Sequence, residues 1–278
     1  MNGILLVNKP AGMTSHDVVN RVRKLCHTKK VGHCGTLDPD ATGVLVLCIG
    51  KATKALQFLM SENKEYVATL SLGQATDTYD SSGKVIKEKE FQGIEHLDEV
   101  VQSFIGQQLQ MPPIYSAIKV KGKKLYEYAR ENKEVQIEPR PITIHQIEIL
   151  KQYDHFIEMK VSCSKGTYIR SLCVDIAEKL GYPGHMSHLI RTKSGQFCLE
   201  NCYSLEDIEK ENFHLLTLEE AFASFEHYEI ADENIVYHGK LIRSDIDHQV
   251  VVVNQQGDVL AVYRPNGKGY LKSIRGLF

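Results

Sequence analysis

The stretch VGHCGTLDPDATGVLVLCIG, residues 31–50, sets four glycines, one proline and two aspartates around the start of an apolar run. Glycines before an apolar strand usually suggest a loop that cradles a phosphate, but that reading needs a lysine in the pattern GxxxxGK[ST]. The segment GKAT at 50–53 follows the strand instead of preceding it. At the centre of the loop stands a carboxylate, Asp38, between Leu37 and Pro39. The glycines let backbone or substrate come close to an exposed acid, and Pro39 restricts the chain just after it. Asp-Pro turns are also common structural devices. The loop alone leaves a reacting acid and a plain turn open.

Outward from this loop, GILLVNK reads as a strand closed by Pro10 and Gly12, and Ser15 is placed to cap a helix with Val18, Val19, Val22 and Leu25 on one face. After the loop come the strand VLVLCIG, the helix KATKALQFLM and the alternating strand EYVATLSLG. DTYDSSGK reads as a turn whose side chains bond their own backbone; it lacks the closing glutamate of a calcium loop. ITIHQIEIL and FIEMKVSC are further strands, and in SKGTYIRSLCVDIAEKLG either Gly166 or Thr167 opens a helix that Gly181 ends. Without a regular βαβ repeat, the mixture predicts an α+β fold with a largely antiparallel sheet. SLED and TLEE mark two short helices, and the last fifty or so residues alternate short strands with Gly turns, an all-β module.

The 278 residues suit one large domain or a larger and a smaller one, with 42% hydrophobic content for a core. No apolar run has the length of a membrane span, and the start lacks a signal-peptide pattern, so a cytoplasmic protein is expected. Seven cysteines without a CxxC pair argue against a disulfide framework and a structural metal site. The net charge of −2 is unevenly spread. Residues 1–34 carry six lysines and arginines against Asp17 alone, 119–140 are basic, and 200–233 are strongly acidic. Basic surfaces that bind a polyanion coexist with such a neutral total.

The chemistry-bearing residues outside the loop are Tyr66 at a strand start, and Tyr168 and Arg170 at a helix start. An arginine beside Asp38 would keep that acid ionised in a pocket. An acid, an arginine and two tyrosines, without a His–Ser pair or metal ligands, suit a flat, uncharged, stackable substrate such as a nucleobase.

In order and spacing, LLVNKPAGMTSHDVV, GHCGTLDPDATGVLVL, KEYVATLSLGQATDTYDSSG, MPPIYSAIKVKGKKLYEYAR and CSKGTYIRSLCVDI resemble the TruB family of bacterial tRNA pseudouridine-55 synthases. The resemblance spans residues 2–195, and the tail resembles a PUA RNA-binding module. It implies a pseudouridine-synthase-like catalytic domain over 1–225, with an RNA-gripping insertion at 112–141, and a PUA-like module over 226–278. It also implies isomerisation of the T-loop uridine of tRNA, with the base flipped out, by an enzyme that needs no cofactor, metal or guide RNA. In this reading Asp38 is the catalytic acid, Arg170 its partner, and Tyr66 stacks on the uracil. Tyr168 and Leu189 line the base, His33 enters the opened RNA loop, and Lys9 supports the site. Lys119, Lys121, Lys123 and Lys124, interleaved with Tyr115, Tyr126 and Tyr128, grip the RNA backbone. A monomer that binds the T-arm stem-loop is expected. The alternatives are a guide-RNA-dependent relative, disfavoured by the compact length and short tail, and a non-catalytic RNA-binding protein, which would dispense with Asp38, Tyr66 or Arg170.

Overall fold

The computed structural model describes residues 1–60, 63–131 and 133–278. They form two compact units. One joins Met1–Pro39 and the segment that begins at Gly43 to Gln196–Phe278; the other holds Asp40–Thr42 and the middle of the chain up to Gly195.

In the first unit, β1 (Gly3–Lys9) runs into α1 (Ser15–Leu25), then β2 (Val31–His33) and β3 (Thr42–Ile49). Both β1 and β2 pair antiparallel with β3. Helix α1 forms as its spacing predicts, with Val18, Val19 and Val22 buried. Its cap differs from the expectation. Thr14 is the N-cap, locked in a reciprocal capping box with Asp17, and Ser15 is the first helical residue. Both residues can cap, but only Thr14 has an acid three positions on. The segment after β3 begins as a 3₁₀ turn over Gly50–Ala55, where Thr53 Oγ1 donates to Gly50 C=O at 2.7 Å, and becomes α-helical only over Leu56–Leu59.

The second unit is an antiparallel sheet built from β4 (Lys64–Leu72), β5 (Gly106–Gln110), β6 (Arg140–Tyr153), β7 (Phe156–Cys163) and β8 (Gly184–Ser194). Its order is β8-β4-β7-β6-β5. Helix α2 (Ile169–Lys179) packs beside the start of β8. Gly184 permits this approach, because a Cβ there would meet the Cβ of Ala177 at 2.4 Å and the carbonyl of Ser71 at 3.1 Å.

The chain then returns to the first unit as β9 (His227–Glu229), β10 (Ile242–Arg243), β11 (Val250–Val253), β12 (Val259–Pro265) and β13 (Tyr270–Gly276). These make a five-stranded sheet of order β9-β11-β12-β13-β10, with β9 and β11 parallel and the other ladders antiparallel. The fold is therefore α+β with largely antiparallel sheets and an all-β C-terminal module. Val251, Val253, Val259 and Val262 pack with Ile4, Leu6, Val44 and Val46, whereas Val250, Val252, Ala261 and Tyr263 face the other side. The sheet thus has apolar contacts on both faces, as its unbroken valine run requires. All seven cysteines are free, and among the described residues no helix is long and apolar enough to cross a membrane.

Burial pushes the Asp175 carboxyl on α2 up to about 6, with Glu178 nearby adding like charge. The native state then holds this proton more tightly than the unfolded chain, so its contribution to stability falls as pH rises from about 4 through 6. Asp175→Asn is expected to raise Tm near pH 8, with the gain shrinking near pH 5. Thermal melts at the two pH values check this; an equal gain at both would remove Asp175 as the cause.

Candidate active site

Asp38 itself is half-buried, and the backbone on either side of it is held by deeply buried groups of the first unit. Ser15, 1% exposed, serves both peptide groups of Leu37: its Oγ accepts from Leu37 N–H at 2.8 Å and donates to Leu37 C=O at 3.2 Å. On the other side, Pro39 C=O accepts from Gly12 N–H at 3.0 Å and from Lys9 Nζ at 2.8 Å. Gly12 adopts φ +79°, which lets the turn after β1 bring this amide to the loop. Lys9 is completely buried, and its ammonium also donates to Pro10 C=O at 2.8 Å and Met13 C=O at 2.5 Å. The acid is thus presented from a backbone that is fixed before and after it. His33 lies on β2, half-buried, with Cys34 beyond it in the core.

In the second unit the sheet register places Tyr66 and Leu189 on one face. Tyr66 on β4 lies opposite Arg191 on β8, and Ala68 opposite Leu189, so these four side chains emerge together. Tyr66 and Leu189 are buried, and Arg191 is 1% exposed. Sequence reading missed Arg191; a cation amid an alternating strand was the available signal.

Tyr168 is the N-cap position of α2, preceded by Gly166 at φ +84°. Neither Gly166 nor Thr167 caps the helix; Thr167 Oγ1 turns back to donate to Ser164 C=O at 2.9 Å. Arg170, 5% exposed, aims its guanidinium at the DTYDSSGK turn and at the start of the basic insertion. Nη1 donates to Thr78 C=O at 3.1 Å, Nη2 donates to Tyr115 C=O at 3.0 Å, and Asp80 Oδ2 lies 3.6 Å from Nη1. Asp80 is held in turn: its Oδ1 accepts from Thr78 Oγ1, Ser82 Oγ and Ser82 N–H at 2.6–3.0 Å. The turn forms as expected, but its docking of Arg170 was not read from sequence.

The basic insertion contains a β-hairpin in which Lys119 pairs with Lys124 and Val120 with Lys123. Lys121 and Gly122 form its turn, both at positive φ. The four lysines are not equivalent. Lys123 lies over the Tyr128 ring and is salt-bridged to Glu131, whose carboxyl it holds, together with Lys133, below its usual range. Lys124 donates to Tyr126 Oη at 3.2 Å. Lys119 and Lys121 are exposed and have no acidic partner among the described residues. Among those residues no cluster of three or more His, Cys, Asp or Glu could hold a metal.

Residues 23–169 match the model of the TruB family pseudouridylate synthase N-terminal domain, and 170–225 that of the tRNA pseudouridylate synthase B C-terminal domain. The chain is 47% identical to a tRNA pseudouridine synthase B of Clostridium tetani over 95% of this chain and 92% of that protein. It is 41% identical to one of Bacillus cereus over 100% and 97%. Among solved structures, a Cbf5-Nop10-Gar1 complex chain matches with TM-score 0.75 at 25% identity, over 99% of this chain and 85% of that one. A chain of an H/ACA RNP bound to a substrate RNA containing 2'-deoxyuridine matches with TM-score 0.74 at 23% identity, over 99% and 85%.

Removing the Ser15 hydroxyl leaves both Leu37 backbone groups without their buried partner, which costs about 1–3 kcal/mol locally. Ser15→Ala is therefore expected to speed hydrogen exchange at the Leu37 amide by roughly ten- to hundredfold with a modest loss of Tm. Unchanged Leu37 protection would show that the loop is held by other groups.

Proposed function

The chain belongs to the TruB family of pseudouridylate synthases and forms pseudouridine in tRNA, and from this we propose that its substrate is the T-loop uridine at position 55, with Asp38 as the reacting acid. The observation that carries the assignment is the loop itself: a half-exposed carboxylate on a backbone fixed by Ser15, Gly12 and Lys9. A reaction that must place one oxygen against one sugar carbon needs that fixity, since a misplacement of about 1 Å costs roughly a hundredfold in rate.

The reaction breaks the N1–C1′ bond of uridine, turns the uracil, joins C5 to C1′, moves the C5 proton away and returns a proton to N1. Asp38 attacks C1′ as a retaining glycosidase carboxylate does, or assists sugar deprotonation; attack on the base is a third route. The sum is redox-neutral and atom-conserving, so the proposal includes no cofactor. Tyr66 stacks on the flipped base and assists the C5 proton, while Tyr168 and Leu189 line the pocket. Arg170 orients Asp38, His33 fills the space left in the RNA loop, and Lys9 supports the acid's loop. The enzyme acts as a cytoplasmic monomer on free tRNA, with no guide RNA.

The insertion at 112–141 and the module at 226–278 are proposed to hold the RNA. For the module, the supporting feature is a row of exposed cations on adjacent strands: Arg264 pairs directly with Lys272, and Arg243 with Tyr270. Like charges placed opposite one another destabilise a sheet unless an anion lies across them. None of these three cations has an acidic partner among the described residues.

Asp38→Asn removes charge with little change of volume. The purified variant is expected to bind an unmodified T-arm hairpin normally and to release no tritium from C5-labelled uridine. Turnover above contamination level would sink the assignment of Asp38.

Each phosphate contact contributes about 0.7–0.9 to the slope of log K against log salt. The double variant Lys119→Ala/Lys121→Ala is expected to lower that slope by about 1.5 and weaken T-arm binding, with little change in single-turnover rate at saturating RNA. Lys123→Ala should change it less, since Glu131 already neutralises that lysine. An unchanged slope in the double variant would make the hairpin an ordinary solvated surface.

A further inference from the structure

Gln110 ends β5 with only 4% of its surface exposed. Its carboxamide meets the backbone of Tyr168 in two bonds. Oε1 accepts from Tyr168 N–H at 2.8 Å, and Nε2 donates to Tyr168 C=O at 3.0 Å. A primary amide presents a donor and an acceptor side by side, as the edge of a strand does. The side chain thus substitutes for one more residue of ladder, formed with the residue that leads into α2. Two neighbouring bonds tie the same pair of segments: Ser171 Oγ donates to Met111 C=O at 2.8 Å, and Arg170 Nη2 donates to Tyr115 C=O at 3.0 Å.

We propose that Gln110 is a positioning residue for the reaction, fixing the backbone from which Tyr168 and Arg170 project. It acts through those residues and does not itself touch the substrate. The inference rests on the assignment of Tyr168 and Arg170 to the uracil site made above. Burial in a strand gives no reason for a glutamine at this place; the paired groups of Tyr168 do. An apolar side chain would remove the acceptor that faces Tyr168 N–H and one of the two donors to Tyr168 C=O, the other being Leu172 N–H at 3.1 Å.

The test uses Gln110→Glu, which keeps the shape and makes the chemistry titratable. An ionised carboxylate still accepts from Tyr168 N–H but sets a second acceptor against Tyr168 C=O. A protonated carboxyl restores both roles, its O–H donating and its C=O accepting. Burial and the facing carbonyl both favour that protonated form. Single-turnover pseudouridine formation on a T-arm hairpin and hairpin Kd are measured for the wild type and the variant from about pH 5.5 to 8.5.

Near pH 8 the variant is expected to be slower by about tenfold or more, with Kd within about twofold of the wild type. The ratio of variant to wild-type rate should climb towards unity as the pH falls. Gln110→Met, which fills similar space without either bond, should be slow at every pH and keeps the idea testable if the glutamate variant folds poorly. A wild-type rate for either variant near pH 8 would overturn the proposal. So would a Gln110→Glu rate ratio that is flat with pH, or a loss that follows Kd or Tm alone. A wild-type enzyme that leaves the T-arm uridine unchanged would instead refute the functional assignment.

Discussion

A buried ammonium organises the first unit. Lys9 has no exposed surface, and an ion of that size leaves water only if polar groups replace its hydration, a penalty otherwise of several kcal/mol. Backbone carbonyls supply part of the replacement: those of Pro10, Met13 and Pro39 converge on Nζ. Two of the three belong to prolines, which have an acceptor but no N–H, so their carbonyls are available where the chain leaves the ladder. Because one carbonyl lies just beyond Asp38 and the other two just beyond β1, the lysine dictates the path of both turns at once. Without it, carbonyl dipoles would point at one another in a site closed to water.

The same device recurs at three places beside the ends of strands. Ser15 answers both peptide groups of Leu37, Gln110 both groups of Tyr168, and Ser164 Oγ accepts from Thr143 N–H at 2.8 Å. Each is a short or planar polar side chain standing in for a missing strand neighbour. Buried backbone groups are almost always paired, so a loop that must leave the sheet to present a side chain needs such substitutes. They hold the loop's backbone without filling the space in front of it.

This explains which parts of the molecule were legible in the sequence. Periodicity carries local information, so α1, the run after Gly43, the long hairpin over 140–163 and the capping boxes at Ser204 and Thr217 could all be read. Ser15 was read as a helix cap because caps are local. Its real partner lies 22 residues away, and that of Gln110 lies 58 residues away. The loop composition made Asp38 conspicuous, yet nothing in composition announces that Asp80 stands beside Arg170 or that Arg191 shares a ladder position with Tyr66. Long-range hydrogen bonds between unlike segments leave no period behind them.

Charge was the least legible property, because a count does not say which charges are already answered. The stretch 200–233 is strongly acidic by count. Many of its carboxylates are internal fittings: Asp207 and Glu220 close capping boxes, Glu219 accepts from Val259 N–H at 3.0 Å, and Glu209 is salt-bridged to Arg21. Lysines are sorted in the same way, for Lys123 and Lys124 are engaged by Glu131 and Tyr126 while Lys119 and Lys121 are not. The field met by an approaching RNA is set by the unanswered charges, which are cationic on the insertion hairpin and on the β10–β13–β12 face. A chain of net charge −2 can therefore attract a polyanion, because several of its acids are engaged by its own backbone and side chains while the cations on these two surfaces are not.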